Sequence, residues 1–163
     1  TYWRVSDQEY GLASRNLTLK PTGDSFWHRV AADLSIFDRI PPGAAVQGEI
    51  VGPQIQKNPL GLPSLAFYVF SVWDISMRCF LGAEDAQEFC RVHSLPHVPV
   101  LYAGPKFDYS LGELLDLSKG KYASGRHQEG IVVRSATEMY SPALKGRMSF
   151  KVINNDYLLK GGD

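Results

Sequence analysis

The amino-acid sequence predicts an α+β fold with mainly antiparallel sheets and peripheral helices. Short apolar segments with strand character recur along the chain, and a few helical segments are dispersed among them. Their order lacks the regular strand–helix–strand alternation that builds a parallel sheet. A chain of 163 residues can bury a substantial core, so we expect residues 1–163 to form a single domain.

Strands are predicted where apolar and polar residues alternate or where aromatic and β-branched residues cluster. The first two strands form a hairpin around the polar turn Ser6-Asp7-Gln8. Pro41-Pro42-Gly43 breaks the chain before the third strand, and a Gly/Pro/Asn/Gln loop at residues 52–63 separates the third from the aromatic fourth. The predicted strands cover residues 2–5, 10–19, 45–51, 66–75, 98–102, 130–134 and 147–153.

Helices are predicted between these strands from apolar spacing and from capping residues. The second of them carries acidic residues in its first turn, where the helix dipole favours negative charge. Ser110 and Glu113 have the spacing of a capping box, which marks the start of the third. The predicted helices begin at Asp24 or Ser25, at Ala83 and after Ser110, and they end near residues 37, 92 and 120.

Charge and cysteine content exclude several classes of protein. Seventeen basic and seventeen acidic residues give no net charge, which argues against general electrostatic binding of nucleic acid and leaves room for a local basic groove. The two cysteines, Cys79 and Cys90, fit a reducing compartment better than a disulfide scaffold. No apolar run reaches the roughly 18 residues of a transmembrane helix. We therefore expect a cytoplasmic or other intracellular protein with no membrane partner.

Two glutamates and a lysine follow one another on predicted strands. Glu49 comes after Gly48 in an apolar strand, Glu129 comes before Gly130 at the start of another, and Lys151 lies on the last strand. Taken singly, each residue has a structural explanation as a solvated carboxylate beside a glycine or as an edge-strand lysine that discourages aggregation. Taken together, carboxylates on adjacent strands can hold a divalent metal, and a lysine can stabilise negative charge on a phosphate.

This series resembles the active-site strands of the covalent nucleotidyltransferases and, within that superfamily, RNA ligases of the Deinococcus kind. The resemblance extends over nearly the whole chain and implies an ATP-grasp-like fold. The segments that carry it are Ser14-Arg15-Asn16, Gly48-Glu49, GPQIQKNPLG after that pair, the aromatic strand FYVFSVWDI at residues 67–75, Glu129-Gly130 and Ser149-Phe150-Lys151-Val152.

The resemblance implies an adenylyltransferase domain that uses ATP with Mg²⁺ or Mn²⁺ to join RNA 3′-OH and 5′-phosphate ends. In the catalytic roles that it implies, Glu49 contacts the ribose or the network around the metal. Glu129 organises the metal and the nucleophilic lysine, and Lys151 contacts the α-phosphate. The shape of the RNA substrate, with a nicked duplex among the candidates, and the oligomeric state are left open.

The resemblance also implies contacts with adenine and with RNA. An aromatic residue of the fourth strand stacks on the base, with Phe70 favoured and with Tyr68 and Trp73 as alternatives. The basic loop at residues 120–130 is a second choice for contact with phosphate or RNA. Contacts with RNA phosphates are implied for Arg15, Asn16 and Lys57.

The lysine that becomes adenylylated in this family, within a Lys-x-Asp/Glu-Gly motif, has no counterpart in the chain. By the resemblance it precedes Ser14, whereas the first lysine in the sequence is Lys20. We therefore expect this nucleophile upstream of Thr1, in a longer protein of which the chain is the C-terminal part. Two alternatives stay open: a non-catalytic nucleotide- or RNA-binding fragment or pseudo-enzyme, and a nucleotidyltransferase of the DNA ligase or capping type.

Overall fold

The structure of the protein is a computed structural model that describes residues 1–20 and 22–159. The chain divides into two compact units. The first consists of Thr1–Ile50 and Leu65–Pro99, and the second of Val51–Ser64 and Val100–Asp163. That residues 1–163 act as one domain stays a prediction.

A six-stranded sheet forms the centre of the first unit. Its strands are β1 (Tyr2–Arg4), β2 (Tyr10–Ala13), β3 (Thr18–Leu19), β4 (Ala44–Val51), β5 (Ala66–Asp74) and β6 (Cys79–Phe80). They are hydrogen-bonded in the order β3-β2-β1-β4-β5-β6. β1 is antiparallel to both of its neighbours, and Tyr2 lies opposite Leu12 of β2 and Val46 of β4. The predicted N-terminal hairpin is confirmed, as is the α+β class with mainly antiparallel sheets. The single strand predicted over residues 10–19 is wrong: it is the two strands β2 and β3, because the Ser14 N–H donates to the Leu17 carbonyl at 2.8 Å and closes a turn between them.

Tyr2 connects β1 to the rest of the first core. Its side chain is buried, and its ring makes edge contacts with Phe37 and Phe67 at centroid distances of 5.7 and 5.0 Å. The Tyr2 hydroxyl donates to the carbonyl of Trp27 at 3.1 Å, and burial raises the pKa of this phenol. The ring therefore contributes apolar packing while its polar atom keeps a partner inside the core.

The single N-terminal helix predicted up to residue 37 is two helices. α1 (Phe26–Asp33) and α2 (Ile36–Arg39) are separated at Ser35, whose φ of 50° lies in the left-handed region and ends the first hydrogen-bond ladder. The guanidinium of Arg4 on β1 then donates to the carbonyls of Phe37 and Ile40, each at 3.1 Å. A bond to a side chain distant in sequence therefore supports the second helix.

The bounds of α3 (Ala83–Val92) confirm the second predicted helix, with two acidic residues in its first turn. The helix packs against β5, and its Cys90 is buried. Burial raises the pKa of the Cys90 thiol to about 11, so this thiol is protonated at neutral pH and packs as a small apolar side chain. Within the described ranges, no helix is long and apolar enough to cross a membrane.

The strand predicted over residues 98–102 is wrong. After α3 the chain makes one isolated parallel bridge, between His97 and Val69 of β5. The Val98 N–H donates to the Val69 carbonyl at 2.9 Å. Pro99, which has no N–H to donate, follows directly, and the segment does not continue as a strand.

The second unit contains a two-stranded ribbon that packs against a helix. β7 (Gly130–Arg134) is antiparallel to β10 (Ser149–Ile153), and α4 (Leu111–Ser118) packs against both. The capping box of α4 is confirmed, because the Ser110 hydroxyl accepts from the Glu113 N–H while the Glu113 carboxylate accepts from the Ser110 N–H. Elements that the sequence pattern did not predict are β6, β8 (Tyr140–Ser141), β9 (Gly146–Arg147) and α5 (Asn155–Leu159).

Gly48 allows β4 and β5 to approach more closely than side chains would permit. An ideal Cβ at this position would lie 2.4 Å from the Tyr68 carbonyl oxygen and 2.6 Å from the Phe67 ring. Both distances are far below van der Waals contact, and a backbone carbonyl in a sheet has little freedom to move away. Glycine is therefore required next to Glu49 by the packing of the sheet.

We expect Gly48→Ala to lower the free energy of unfolding by about 2 kcal/mol, the usual cost of forcing an extra carbon into a packed interior. Urea titration followed by tryptophan fluorescence measures this loss. Gly112→Ala in α4 is the matched control, because its nearest contact would be the Ser110 hydroxyl at 3.9 Å and alanine favours helix. Equal urea midpoints for the two variants would contradict the steric explanation.

Candidate active site

Glu129 and Lys151, the second glutamate and the lysine of the predicted series, form an ion pair. Lys151 lies on β10 opposite Val132 of β7, and its Nζ is 2.5 Å from Oε1 of Glu129. The lysine side chain is 41% exposed and the glutamate side chain 52% exposed, so both charges remain accessible to ligands. Pairs this exposed typically contribute only about 0–1 kcal/mol to stability. Support of the fold is therefore a weak explanation for this pair.

Gly130 turns Glu129 toward Lys151. Alternate residues of a strand point to opposite faces, so a regular strand would place Glu129 on the face away from Val132 and Lys151. Gly130 has a φ of 144°, which residues with a side chain rarely adopt. An ideal Cβ there would lie 2.1 Å from the Val152 carbonyl oxygen. The change of direction before β7 and the close approach to β10 both depend on glycine at this position.

Asn154, which was not among the predicted site residues, is fully buried, and its hydrogen bonds reach the segment of Glu129. Its backbone N–H donates to the Glu129 carbonyl at 3.0 Å, and its Nδ2 donates to the Gln128 carbonyl at 2.9 Å. Its Oδ1 accepts from the Asp156 N–H at 3.0 Å, at the start of α5. The sequence feature that could have identified Asn154 is its position before a short helical segment, because asparagine is favoured at helix N-caps.

Lys57 lies in a loop with an unusual backbone. Gln56, Lys57 and Asn58 have φ values of 43°, 60° and 53°, a conformation that is costly for residues with a Cβ. The Asn58 side chain supports the turn, because Nδ2 donates to the Leu62 carbonyl at 2.8 Å and Oδ1 accepts from the Leu62 N–H at 3.0 Å. The exposed Lys57 is therefore presented by a turn with its own hydrogen bonds.

The loop that contains Lys57 contacts the basic loop that precedes Glu129. The Ser124 hydroxyl donates to the Pro59 carbonyl, and an ideal Cβ at Gly61 would lie 3.1 Å from the Ser124 Cβ. Arg126 follows in the basic loop, and its Nη1 is buried without a hydrogen-bond partner among the described residues. A buried guanidinium N–H needs an acceptor, so Arg126 is the residue of this loop with the strongest claim to an anionic ligand.

Phe70 lies on the more open face of β5. Phe70 and Tyr68 are half-buried, whereas Val69 between them is fully buried. This alternation agrees with the predicted placement of Phe70 and Tyr68 on one face. The Trp73 ring packs edge-on against Phe80 of β6 at 4.8 Å, which gives that ring a structural partner.

Arg15 and Asn16 form the tip of the turn between β2 and β3. The Ser14 N–H donates to the Leu17 carbonyl at 2.8 Å, and the Ser14 hydroxyl accepts from the Leu17 N–H at 3.1 Å. Both tip side chains are exposed. Within the Ser-Arg-Asn sequence, the serine therefore builds the turn and the other two residues are presented to solvent.

Arg15 and Glu49 lie at the same end of the sheet in the first unit. β2 and β4 run in the same direction, because each is antiparallel to β1. Leu12, Tyr2 and Val46 form one row across the three strands. Arg15 comes three residues after Leu12, and Glu49 comes three residues after Val46. Both residues therefore lie toward the end of the sheet at which β1 begins, and Glu49 is exposed there.

The structure brings two of the predicted site residues into direct contact, Glu129 and Lys151. The roles assigned to the others stay predictions. The second unit contains Lys57, Glu129 and Lys151, and the first contains Arg15, Asn16, Glu49 and Phe70.

The described residues include no group of three or more side chains placed to hold a metal ion together. Magnesium usually keeps several waters and is bound through one or two carboxylates together with substrate phosphates. A half-exposed carboxylate such as that of Glu129 fits an ion of this kind, which arrives with a nucleotide. It does not fit a structural metal enclosed by protein ligands.

A double-mutant cycle with Glu129→Gln and Lys151→Met is expected to give a coupling of less than about 1 kcal/mol in the free energy of unfolding, because both charges are partly solvated. Urea unfolding of the four proteins provides the measurement. The exposed Lys119–Asp116 pair, at 2.8 Å, serves as the control cycle. A Glu129–Lys151 coupling above about 3 kcal/mol, the range of buried pairs, would mean that this pair supports the fold.

Solved structures of an RNA ligase from Naegleria gruberi are similar to this chain. A variant with ATP and manganese matches with a TM-score of 0.81 and 25% identity, an apo variant with 0.79 and 26%, and a structure with pyrophosphate with 0.73 and 27%. Each match covers 99% of this chain and 48% of the other, so the chain spans about half the length of that ligase. No significant match was found among curated protein sequences.

A family model agrees with the structural similarity. The model for RNA ligases matches residues 2–153, a range that contains every site residue predicted from the sequence. The match covers most of the chain, and nearly all of this chain has the fold of part of a solved RNA ligase. The chain therefore belongs to the RNA ligase family.

Proposed function

We propose that this chain is the adenylyltransferase domain of an ATP-dependent RNA ligase that joins RNA 3′-OH and 5′-phosphate ends. The observation that carries the proposal is the accessible Glu129–Lys151 pair in a member of the RNA ligase family. Structures of the Naegleria gruberi ligase with ATP and manganese, with AMP and manganese, and with pyrophosphate support it. ATP and pyrophosphate are the reactant and the leaving group expected of lysine adenylylation, and AMP is the leaving group expected of the final step.

The proposed reaction has three steps. A lysine nitrogen attacks the α-phosphorus of ATP, so that a nitrogen–phosphorus bond forms and the bond to pyrophosphate breaks. An oxygen of the RNA 5′-phosphate then takes AMP from the lysine. Finally, the 3′-OH attacks that 5′-phosphate, and AMP leaves. Phosphoryl transfer of this kind depends mainly on positioning and on neutralisation of charge.

Lys151 and Glu129 are suited to opposite parts of this task. The ammonium group of Lys151 stabilises negative charge on the α-phosphate oxygens, and the Glu129 carboxylate provides a ligand for Mg²⁺ or Mn²⁺. The divalent cation, when bound, neutralises phosphate charge. Both side chains are about half exposed. The ion pair can therefore open at little desolvation cost, so that Lys151 binds phosphate and Glu129 binds the metal.

The other site residues are assigned to the nucleotide and to RNA. Phe70, on the open face of β5, stacks on adenine, and Glu49 contacts the ribose or the network around the metal. Arg15, Asn16 and Lys57 are exposed in turns, where charged and amide groups can reach the phosphates of an RNA end.

The nucleophilic lysine lies upstream of Thr1 in this proposal. β1 begins at the end of the sheet at which Arg15 and Glu49 lie.

The intact mass of the full-length protein, with and without ATP and Mg²⁺, tests this proposal. An increase by one AMP, localised by peptide mapping to a lysine upstream of Thr1, is the expected result. A full-length protein that binds ATP or RNA without forming an adduct would contradict the proposal.

We expect Glu129→Ala in the full-length protein to lower the rate of metal-dependent adenylylation by more than about 100-fold, because the site loses a pre-placed charge. The appearance of the AMP adduct over time gives the rate. Asp116→Ala, which removes an exposed carboxylate of α4, is the control and should leave the rate unchanged. Adenylylation at the normal rate in Glu129→Ala would sink the assignment of Glu129.

We expect Phe70→Ala to weaken ATP binding by about 10-fold, since stacking of a base on an aromatic ring is worth about 1–3 kcal/mol. Calorimetric titration with ATP measures the affinity, and urea unfolding checks that the fold is retained. Tyr68→Ala, which removes the alternative ring from the same face of β5, is measured in parallel and is expected to leave the affinity unchanged. An unchanged affinity in Phe70→Ala would move the stacking role to Tyr68 or Trp73.

A further inference from the structure

We infer that Asn154 is a positioning residue for the Glu129 carboxylate, an inference that rests on the function proposed for Glu129. Asn154 touches the backbone of the segment that carries Glu129 at two successive carbonyls. Its main-chain N–H donates to the Glu129 carbonyl at 3.0 Å, and its side-chain Nδ2 donates to the Gln128 carbonyl at 2.9 Å. Two adjacent peptide planes are thereby held by one buried residue.

Glu129 needs such support because it lies outside the strand ladder. β7 begins at Gly130, and the register of the ribbon pairs Gly130 with Ile153 as its last pair. Glycine offers little resistance to backbone rotation, so the peptide groups before it would be free to change the direction of the glutamate side chain. The bonds from Asn154 continue the constraint for two residues beyond the end of the ladder.

The same segment supports both members of the ion pair. Asn154 directly follows β10, three residues after Lys151, and is 0% exposed. Hydrogen bonds shielded from water in this way are stronger than solvent-exposed ones, and an unpaired buried carbonyl is costly. A shift of about 1 Å in a positioned group can cost two orders of magnitude in rate. Asn154 therefore couples the position of Glu129 to the strand that carries Lys151.

Asn154 also has a structural task, which the test must separate from positioning. Its Oδ1 accepts from the Asp156 N–H, and its carbonyl accepts from the Tyr157 N–H at 3.1 Å, so it begins α5. Asn154→Asp keeps an oxygen acceptor for that cap and adds a charge that the helix N-terminus favours. It replaces the donor to Gln128 by a second oxygen that repels the carbonyl. Asn154→Ala removes both functions.

The experiment compares Asn154→Asp and Asn154→Ala with Ser110→Ala in the full-length protein. Ser110→Ala removes the cap of α4, which typically costs about 1 kcal/mol, and leaves the Glu129 segment untouched. Two measurements are made: the affinity for Mn²⁺ in the presence of a non-hydrolysable ATP analogue, by calorimetry, and the Mn²⁺ concentration that gives half-maximal adenylylation.

Both Asn154 variants are expected to bind Mn²⁺ about 10- to 100-fold more weakly, the usual effect of removing a partner that orients a metal ligand. The Mn²⁺ concentration for half-maximal adenylylation rises by the same factor, while the rate at saturating Mn²⁺ falls by a smaller factor. Ser110→Ala keeps the affinity and the requirement of the unaltered protein. Hydrogen exchange of the metal-free Asn154→Asp protein should be faster at residues 129–131 and unchanged in α4.

Two results would overturn the inference: Mn²⁺ binding in folded Asn154→Asp equal to that of Ser110→Ala, or unchanged exchange at residues 129–131. If Asn154→Ala does not fold, Asn154→Asp alone decides, because it retains the cap. Glu129→Ala is measured in parallel. Unaltered adenylylation in Glu129→Ala refutes the proposed role of Glu129, whereas its loss together with normal Mn²⁺ binding in the Asn154 variants refutes positioning alone.

Discussion

Two close approaches of backbone, one in each unit, constrain the neighbourhood of both acidic residues. At Gly48 a Cβ would lie 2.4 Å from the carbonyl oxygen of Tyr68, and at Gly130 it would lie 2.1 Å from that of Val152. In each case the glutamate is the residue directly beside the glycine. The glycine lets the two strands meet, and the meeting point determines where the neighbouring carboxylate leaves the backbone. The acid–glycine pairs are therefore as much a packing requirement as a chemical one.

In the second unit, a neutral residue, Asn154, holds the backbone next to the charged pair. Glu129 and Lys151 are about half exposed, whereas Asn154, which holds the adjacent backbone, is completely buried. Burying a neutral amide with its hydrogen bonds satisfied costs far less than burying a charge. This division leaves the charges available to a phosphate or a metal and gives the constraint to a residue that water does not reach.

Regular segments were predicted well from the sequence, and irregular ones were not. α3 and the capping box of Ser110 follow from local spacing, and the structure has both where they were predicted. Two of the failures involve contacts between distant residues. The N-terminal helix breaks at Ser35, where Arg4 on β1 supports the second piece, and residues 98–102 form a single bridge instead of a strand. Local propensity carries no information about such partners.

Three properties could be predicted from the sequence alone: the α+β class, the acid–acid–base series and the resemblance to RNA ligases, which the family model supports. These properties depend on residue type and spacing, which are visible in one dimension. The three-dimensional structure adds three relations: Glu129 meets Lys151, Asn154 is buried against the Gln128 and Glu129 carbonyls, and Arg15 and Glu49 lie at one end of a sheet. Each of these depends on the register between strands, which is set by packing and by backbone hydrogen bonds between residues far apart in the chain.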